Sequence, residues 1–578
     1  MSKLGNFVWG IADQLRGPYK PHQYGAVILP FTILRRLDCV LAPTRTEVRE
    51  LAKKYSCGAL DVQVKRATGL NFYNTSAFDF AKLLEDPEGL RANLVDYITS
   101  FSANIDVFER FKFDNELATL DEKNRLYLIT SKFAEVDLHP NTVPNAEMGD
   151  LFEHLIRRFA EESNETAGDH YTPRDAIRLM VDLLFAEDNS ALMEPGTVRT
   201  IYDPTAGTGG MLSVAEERLL ERNKQARLRL YGQEINDQSY AICKSDMIVK
   251  GQDAGNIRLG DTLTDDQFFD RTFDFCMSNP PFGIDWKAAQ EDVQKEALVP
   301  GSRFSHGLPA VGDGAMLFLC HLASKMRPAN EGGGRAGIVL SGSPLFNGAA
   351  ESGPSKIRQW LVEEDLVEAI IALPTNMFYN TPIATYIWIL DNTKRPERQG
   401  KIQLIDASSF WSKMRKNLGS KGREIDERSR NRILSLYDEF DDADSDLSKV
   451  FTANEFGYWA ITVERPLLDE DGKPVKDGKG KPKPDAKKRD TENVPFTYGG
   501  NTAGDAGREE TIKAYVEAEV LPHVPDAWVD TKKTKVGYEI PFTRHFYKYV
   551  PPRSLAEIDA DLEKQVAKIM ELLREVEG

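Results

Sequence analysis

Seven short apolar segments alternate with segments of helical spacing between residues 198 and 390, and this alternation constrains the fold more than any other feature. The seven segments lie at 198–202, 228–234, 257–261, 272–277, 336–340, 366–373 and 384–390. Each has the length of a buried strand, and strands that are joined through helices form parallel sheets. The pattern therefore predicts an α/β domain built on an open sheet of about seven strands.

Polar side chains stand at the ends of the first four segments. Asp203 follows the first segment, Glu234 ends the second, Asp261 ends the third and Asn279 follows the fourth. Open α/β sheets bind their ligands at the carboxyl ends of parallel strands, so we expect these four side chains to converge. Glu234 is placed to accept hydrogen bonds from two ribose hydroxyls, and Asp261 is placed to receive an adenine amino group.

A glycine-rich turn after the first strand discriminates between two cofactors. It reads Asp203-Pro204-Thr205-Ala206-Gly207-Thr208-Gly209-Gly210, and its glycines let the backbone approach a bound nucleoside closely. A dinucleotide site requires Gly-x-Gly-x-x-Gly, whereas the spacing here is Gly-x-Gly-Gly. An acid at this turn repels a pyrophosphate and attracts the ammonium group of an amino acid. S-adenosylmethionine therefore fits this framework, and NAD does not.

The stretch Ser278-Asn279-Pro280-Pro281-Phe282 predicts the reactive site. Two prolines cannot continue a sheet ladder because neither offers an N–H, so the strand ends and presents Asn279 at the sheet edge. The Asn279 side-chain oxygen and the Pro280 carbonyl can accept hydrogen bonds from a planar amino group while a base stacks on Phe282. Pro281 stiffens the loop. An ordinary strand-ending turn is the alternative interpretation of Asn-Pro alone.

The loop before the first of these strands carries a second candidate ligand contact. Thr172 suits a helix N-cap and Pro173 suits the first helical position, so a capped helix explains both residues. His170, Tyr171 and Arg174 have no role in such a cap. They indicate a loop that faces a ligand.

The charge balance argues against generic binding to nucleic acid. The chain has 73 basic and 90 acidic residues and a net charge of −17. Contact with DNA then requires a local basic channel or a partner that supplies most of the grip. Residues 413–432 collect basic side chains, and two interpretations of them remain open: a solvated surface segment, or a strip that contacts phosphates.

The cysteines and the hydropathy pattern indicate a reducing, cytoplasmic protein with no membrane partner. The five cysteines form no Cys-x-x-Cys pair and the eight histidines lack metal-ligand spacing, so neither a disulfide framework nor a metal site is predicted. No cleavable signal and no apolar run of membrane-spanning length occurs.

The segments on either side of the α/β domain complete the predicted organisation. Residues 1–160 have helical periodicity and form an N-terminal helical domain, and residues 161–410 form the α/β domain. Residues 411–550 form a C-terminal extension with a flexible insertion near 469–493, which is rich in Lys, Asp, Gly and Pro. Residues 551–578 form a terminal helix.

The terminal helix carries an apolar stripe at alternating spacings of three and four residues. This spacing predicts a coiled-coil-like seam for a partner helix, and packing back onto the same chain is the alternative. The stripe consists of Leu555, Ile558, Leu562, Val566, Ile569, Leu573 and Val576.

Together these motifs resemble those of the modification (methyltransferase) subunit of type I restriction–modification systems. The resemblance covers nearly the whole chain, and it implies a Rossmann-like, seven-stranded S-adenosylmethionine-dependent methyltransferase domain between an N-terminal helical domain and a C-terminal helical tail. It implies that Asn279, Pro280, Pro281 and Phe282 are the catalytic residues. The cofactor-binding residues, from the resemblance and the strand ends together, are Asp169, His170, Tyr171, Thr172, Pro173, Arg174, Asp203, Thr205, Ala206, Gly207, Gly209, Glu234 and Asp261.

The resemblance also implies a reaction and a set of partners. A methyl group passes from S-adenosylmethionine to N6 of an adenine flipped out of double-stranded DNA. Asn rather than Ser at position 279 favours adenine N6 over cytosine N4. The family works as a complex, in which two copies and one DNA-specificity subunit methylate DNA and motor-nuclease restriction subunits cleave it.

Three other functions remain open from the residues. The first is a self-sufficient adenine methyltransferase that reads its own site with residues 406–550. The second is a methyltransferase for RNA or for a protein glutamine amide, because similar Asn-Pro-Pro loops handle any planar amino or amide group. The third is an assembly protein with an inactive cofactor fold, although the intact Asp203, Glu234 and Asn279 argue against it. Cytosine C5 methylation requires a thiolate, typically in a Pro-Cys pair, and the chain has no such pair.

Overall fold

The computed structural model describes most of the chain in two compact units, Met1–Ile540 and Pro541–Gly578. The described residues are 3–20, 23–144, 147–148, 172–186, 192–250, 252–379, 381–478, 480–501, 504–549 and 554–577.

The first unit begins with a helical domain, as the periodicity predicts. Its centre is an aromatic cluster in which Phe31 stacks on Phe133 at 5.2 Å and meets Phe113 edge-on at 5.0 Å. These rings are buried among the leucines and isoleucines of the neighbouring helices. The described helices span Lys3–Leu15, Tyr24–Leu41, Arg45–Ala52, Cys57–Thr68, Phe80–Leu83, Leu90–Thr99, Val107–Arg110, Phe113–Glu122 and Leu126–Ala134.

The helical domain packs against helix Asp237–Val249 of the α/β domain. Ile242 and Ile248 of that helix belong to the hydrophobic core of the helical domain. Lys244 forms an ion pair with Asp106 at 2.7 Å. One helix of the α/β domain therefore contributes to the core of the helical domain.

The α/β domain is organised on a nine-stranded sheet. The strands are β1 (Val198–Asp203), β2 (Arg227–Glu234), β3 (Ile257–Leu259), β4 (Phe275–Ser278), β5 (Arg335–Ser341), β6 (Val367–Ala372), β7 (Thr385–Asp391), β8 (Lys401–Asp406) and β11 (Ser448–Thr452). Their order in the sheet is β11-β8-β6-β7-β5-β4-β1-β2-β3. β1 pairs in parallel with β2 and β4, β2 with β3, and β4 with β5, whereas β7 is antiparallel to both β5 and β6.

All seven predicted strands are present as β1 to β7, and the sheet is wider than predicted. β8 pairs in parallel with β6, and β11 pairs antiparallel with β8 at the sheet edge. The sheet therefore extends beyond residue 410, where the sequence predicts the domain to end. The polar, lysine-containing β11 has the character of an edge strand, and so it lacks the apolar run that reveals a central one.

Helices cover both faces of the sheet. In the helix after Thr172-Pro173, the predicted face of Ile177, Met180, Val181 and Leu184 is buried. The described helices of this region are Arg174–Ala186, Gly210–Arg222, Asp237–Val249, Gln290–Ala297, Ala315–Lys325, Ser343–Phe346, Gly353–Glu363 and Glu427–Glu439.

The C-terminal part of the first unit contains two smaller sheets. β9 (Ser412–Leu418) and β10 (Lys421–Glu424) form an antiparallel hairpin. β12 pairs with β13 on one side and with β14 and β15 on the other. These strands are β12 (Gly457–Glu464), β13 (Asp490–Pro495), β14 (Trp528–Val529) and β15 (Lys535–Tyr538), and helix Arg508–Tyr515 lies between β13 and β14 in the chain.

The segment predicted as a flexible insertion, 469–493, has regular hydrogen bonding in its described residues. The segment 465–485, which we call the turn segment, folds into tight turns closed by the backbone bonds of Asp469 N to Lys473 O and Asp477 N to Lys481 O. Its composition predicts a loop because Asp-Gly and Gly-Lys-Pro favour turns. In the structure, these turns join short antiparallel stretches into a meander. β13 begins within the predicted insertion, at Asp490.

The second unit contains helices Phe542–Phe546 and Leu555–Glu577. On the longer helix, Leu562, Val566 and Ile569 of the predicted stripe are exposed by 58%, 56% and 56%. The side chains of Leu573 and Val576 lie outside the described part of the chain. Among the described residues, no helix is long and apolar enough to cross a membrane.

Candidate active site

The candidate site lies where the strand order changes direction, between β1 and β4. Such a switch point opens a crevice at the carboxyl ends of the strands. Here the crevice contains a cavity of about 300 Å³. Asp203, Glu234, Asp261 and Asn279 all line it, so the four strand-end side chains that the sequence singles out converge on one cavity.

Asp203 is buried, and the hydrogen bonds to its carboxylate all go to one oxygen. Its Oδ1 accepts hydrogen bonds from the Thr205 N–H at 2.9 Å and the Thr205 hydroxyl at 3.3 Å. Its Oδ2 is buried and has no hydrogen-bond partner among the residues that the structure describes. Burial, together with the nearby charge of Glu234, raises the pKa of Asp203 to about 7. A carboxylate in this state gains most from a cationic ligand.

Glu234 closes the glycine-rich turn against the end of β2. One of its oxygens accepts a hydrogen bond from the Gly207 N–H at 2.7 Å, and the other accepts one from the Asn236 N–H at 2.7 Å. Gly207 has a φ of +53°, a conformation that favours glycine. Glu234 also lines the cavity, and a carboxylate oxygen can accept more than one hydrogen bond.

Asp261 begins a loop that is fixed from outside the cavity by Arg303. Asp261 Oδ1 accepts the Leu263 N–H at 2.9 Å. The Arg303 guanidinium donates to the Thr262 carbonyl at 2.6 Å and to the Leu263 carbonyl at 2.9 Å. Its Nε also donates to Glu296 at 2.7 Å. Arg303 thus anchors one wall of the cavity to the helix that contains Glu296.

Asn279 has a defined orientation at the end of β4. Its amide nitrogen donates a 2.9 Å hydrogen bond to the Thr172 hydroxyl. Its amide oxygen is buried, and none of the described residues donates a hydrogen bond to it. An unsatisfied buried acceptor costs about 1–3 kcal/mol, which a ligand that donates a hydrogen bond would recover.

The three residues after Asn279 differ in burial and in contact with the cavity. Pro281 lines the cavity, whereas Pro280 is buried and is not part of the lining. The Phe282 ring is half-buried and meets Phe378 edge-on at 5.4 Å, outside the cavity lining.

Only some of the other predicted cofactor-binding residues line the cavity. Gly209 does not line the cavity: its φ is +83°, and a Cβ there would lie 2.8 Å from the Cys243 sulfur, so it serves close packing. Pro173 also lies outside the lining. Asp169, His170 and Tyr171 lie outside the described residues. The remaining predicted residues that line the cavity are Thr172, Arg174, Thr205, Ala206 and Gly207.

The cavity also contains apolar residues that the sequence analysis did not select. Ile235 directly follows Glu234 and is 67% exposed, and it lines the cavity with Leu263, Trp286 and Phe318. An apolar residue after a strand-ending acid is a usable sequence signal for Ile235. Trp286 gives no such signal, because a hydrogen bond from its indole to the Ala310 carbonyl at 2.9 Å positions it.

The cavity fits the predicted cofactor on two structural observations. The free Oδ2 of Asp203 offers a buried acceptor for an ammonium group, and Glu234 and Asp261 add acceptors at the neighbouring strand ends. The apolar side chains of Ile235 and Leu263 offer faces for a purine ring.

Two family models match the chain. The N-6 DNA methylase model matches residues 145–460, which include the whole crevice, and the HsdM N-terminal domain model matches residues 4–133. The chain belongs to the N-6 DNA methylase family.

Individual proteins agree with this family. The chain is similar to the type I restriction enzyme MjaIX methylase subunit of Methanocaldococcus jannaschii, with 26% identity over 81% of this chain and 81% of that protein. It is 28% identical to the MpnII methylase subunit of Mycoplasma pneumoniae over 73% of this chain and 68% of that protein. In fold it resembles the type I methyltransferase subunit of Streptococcus thermophilus, with a TM-score of 0.60, 23% identity, and coverage of 78% of this chain and 96% of that one.

These findings confirm the predicted identity, the modification subunit of a type I restriction–modification system. As an N-6 DNA methylase, the chain is an adenine-specific DNA methyltransferase that uses S-adenosylmethionine. The Rossmann-like methyltransferase fold is also confirmed. A self-sufficient enzyme that reads its own site is not favoured, because the relatives are subunits of type I enzymes.

Proposed function

We propose that this N-6 DNA methylase holds the amino group of a flipped adenine between the Asn279 side-chain oxygen and the Pro280 carbonyl. The observation that carries the proposal is the buried Asn279 Oδ1, which lies at the cavity and has no partner among the described residues. The adenine amino group is a hydrogen-bond donor of the kind that this oxygen lacks.

Asn279 acts through orientation rather than through covalent chemistry. The adenine N6 is a poor nucleophile because its lone pair is delocalised into the ring. Two acceptors in the ring plane draw on both N–H bonds, localise the lone pair and aim it toward the cavity. Positioning of this kind is worth up to about 7–11 kcal/mol. The hydrogen bond from Asn279 to Thr172 keeps the acceptor oxygen pointed at the base.

The cavity residues hold the cofactor in this proposal. Asp203 binds its ammonium group, Glu234 binds the ribose hydroxyls and Asp261 receives the adenine amino group, while Thr172, Arg174 and the Thr205-Ala206-Gly207 turn complete the walls. When bound, S-adenosylmethionine supplies an electrophilic methyl group. The proposal retains Asp169, His170 and Tyr171 as cofactor contacts by family resemblance.

A cysteine nucleophile has no place in this mechanism. Cys276 is fully buried inside β4, three residues before Asn279. Burial raises the pKa of its thiol far above the usual range. Cys276 is therefore not a source of the thiolate that cytosine C5 methylation needs.

Phe282 provides a stacking surface for the flipped base. Flipping costs a few kcal/mol, and stacking on an aromatic ring returns part of it. The edge contact with Phe378 holds the Phe282 ring while leaving it half-exposed.

The full reaction needs partners, which we propose on the family resemblance. A separate specificity subunit selects the DNA site, a second copy of this chain joins it, and motor-nuclease restriction subunits add cleavage, all in the cytoplasm. The exposed stripe of Leu562, Val566 and Ile569 is a seam for a helix of the specificity subunit.

Methylome sequencing tests this function. DNA from a host that expresses the chain with its companion subunits should carry N6-methyladenine in one sequence context. DNA from the same host with Asn279→Ala should carry none. The same methylation pattern from the chain alone would favour a self-sufficient enzyme. Methyl groups found on RNA or protein, with none on DNA, would contradict the proposal.

A further inference from the structure

The hairpin of β9 and β10 concentrates positive charge in an otherwise acidic chain. Lys413, Arg415 and Lys416 are exposed on β9, whereas the chain as a whole has a net charge of −17. Among the described residues, none of these three side chains forms a hydrogen bond or an ion pair. We call these three residues the basic strip.

One anchor ties the hairpin to the element that orients Asn279. Lys421 is 4% exposed, and its ammonium group pairs with Asp175 at 2.9 Å. Asp175 also accepts the Ile425 N–H at 2.8 Å. Asp175 lies in the first turn of helix Arg174–Ala186, three residues after Thr172, whose hydroxyl accepts the Asn279 hydrogen bond. The hairpin is thus connected to Asn279 through Asp175 and the nearby Thr172.

A second anchor ties the hairpin to the element that supports Phe282. The Ser420 N–H donates to the Tyr379 carbonyl at 2.9 Å, and the Gly422 N–H donates to the Asn376 carbonyl at 3.1 Å. The turn itself fits closely, because a Cβ at Gly419 would lie 2.5 Å from the Tyr379 carbonyl oxygen. Phe378, in the same connection between β6 and β7, packs against Phe282.

The basic residues of the hairpin fall into two groups, those with contacts inside the chain and those exposed on β9. Lys421 forms an ion pair within the chain. Arg423 lies over the Trp411 ring at 4.0 Å and donates a hydrogen bond to the Thr375 hydroxyl at 2.8 Å. Lys413, Arg415 and Lys416 lie within four consecutive positions of β9, and all three are exposed. Their charges remain available to an external anion.

We propose that the basic strip binds DNA phosphates that flank the flipped adenine. The inference rests on the proposed function, because the two anchored elements are those that hold Asn279 and Phe282. Phosphate contacts are independent of sequence, and they position the duplex rather than select its site. They also overcome the repulsion between an acidic subunit and DNA. An acidic surface of a partner subunit is the competing ligand, and it is an outcome of the test below.

The test is the triple variant Lys413→Gln, Arg415→Gln and Lys416→Gln in the full chain, purified with its companion subunits. A matched control, Lys473→Gln, Lys481→Gln and Lys483→Gln, removes three exposed charges from the turn segment. Unmethylated genomic DNA is the substrate, and the salt concentration is varied from about 50 to 200 mM.

We expect the basic-strip variant to raise the KM for DNA roughly tenfold or more at low salt, with a much smaller change in kcat at saturating DNA. The slope of log affinity against log salt should fall by about 0.9 for each phosphate contact removed. The control should match the unmodified protein in both measurements.

Two results would overturn the inference. One is an unchanged KM and salt slope in the basic-strip variant. The other is loss of a companion subunit from the purified complex with normal DNA affinity in the complexes that form, which would assign the strip to a protein partner. Failure of the proposed function gives a different pattern, in which Asn279→Ala retains methyl transfer while the basic-strip result still reports on DNA binding.

Discussion

The amide nitrogen of Asn279 donates a 2.9 Å hydrogen bond to the hydroxyl of Thr172, 107 residues earlier in the chain. This contact orients the amide, because the nitrogen is bonded to Thr172 and the oxygen has no partner within the described part of the chain. In the proposed mechanism, Thr172 is therefore a positioning residue for the oxygen that accepts the adenine amino group.

Removal of the Thr172 hydroxyl should slow methyl transfer without removing the cofactor. Thr172→Val keeps the shape of the side chain and deletes the acceptor for the Asn279 amide, which is then free to rotate. We expect kcat to fall about 10- to 100-fold. Thr172→Ser is the matched control and should retain most of the rate. Equal rates for the valine and serine variants would contradict this role.

Cofactor affinity should depend on pH through Asp203. Burial and the nearby charge of Glu234 raise the pKa of Asp203 to about 7, so its carboxyl is neutral below that pH and charged above it. Only the charged form attracts an ammonium group. The affinity for S-adenosylmethionine should therefore rise with pH, by at most about tenfold per pH unit, and level off above about pH 7. Calorimetry with S-adenosylmethionine measures this. Asp203→Asn should bind weakly and without this dependence, and a flat profile for the unmodified protein would refute the assignment.

Arg303 should matter for cofactor binding although it lies behind the cavity wall. It donates to the Thr262 and Leu263 carbonyls and pairs with Glu296. Arg303→Gln removes charge-assisted hydrogen bonds worth about 1.5–3 kcal/mol each, so the loop after Asp261 should loosen and affinity should fall about tenfold or more. Arg227→Gln, at an exposed arginine at the start of β2, is the control. Cofactor affinity equal to that of the control would show that the wall holds without Arg303.

The terminal helix should lose its partner when its stripe is made polar. Leu562→Ser, Val566→Ser and Ile569→Ser together remove apolar side chains worth about 1.5–3 kcal/mol each when buried. Co-purification of the specificity subunit should then fail while calorimetry still detects cofactor binding. Glu563→Ser and Lys564→Ser change the same helix off the stripe and should leave the complex intact. A complex that survives the triple change would place the seam elsewhere.

The sequence predicts the strand ends of the site because each signal is local. Asp203, Glu234 and Asn279 each follow an apolar run, and parallel strands bring such positions to one edge without any knowledge of side-chain packing. β1 to β7 were predictable for the same reason.

Residues whose position depends on distant contacts could not be predicted. Arg303 approaches the site only because it bonds to carbonyls 40 and 41 residues away, and no short pattern marks it. The stacking role of Phe282 stays a prediction, and the contact of its ring with Phe378 from another loop has no local sequence signal. β11 is an edge strand with mixed polarity, so its membership of the sheet follows from pairing with β8 rather than from its own residues.

The most direct measurement of the central claim compares Asn279→Ala with the unmodified protein in two assays, methyl transfer to DNA adenine and calorimetric binding of S-adenosylmethionine. Methyl transfer should fall at least about a thousandfold because the acceptor for the amino group is gone. Cofactor affinity should stay within about threefold, since Asp203, Glu234 and Asp261 remain. A folded variant that still methylates adenine at a comparable rate, or one that loses the cofactor instead, would contradict the role assigned to Asn279.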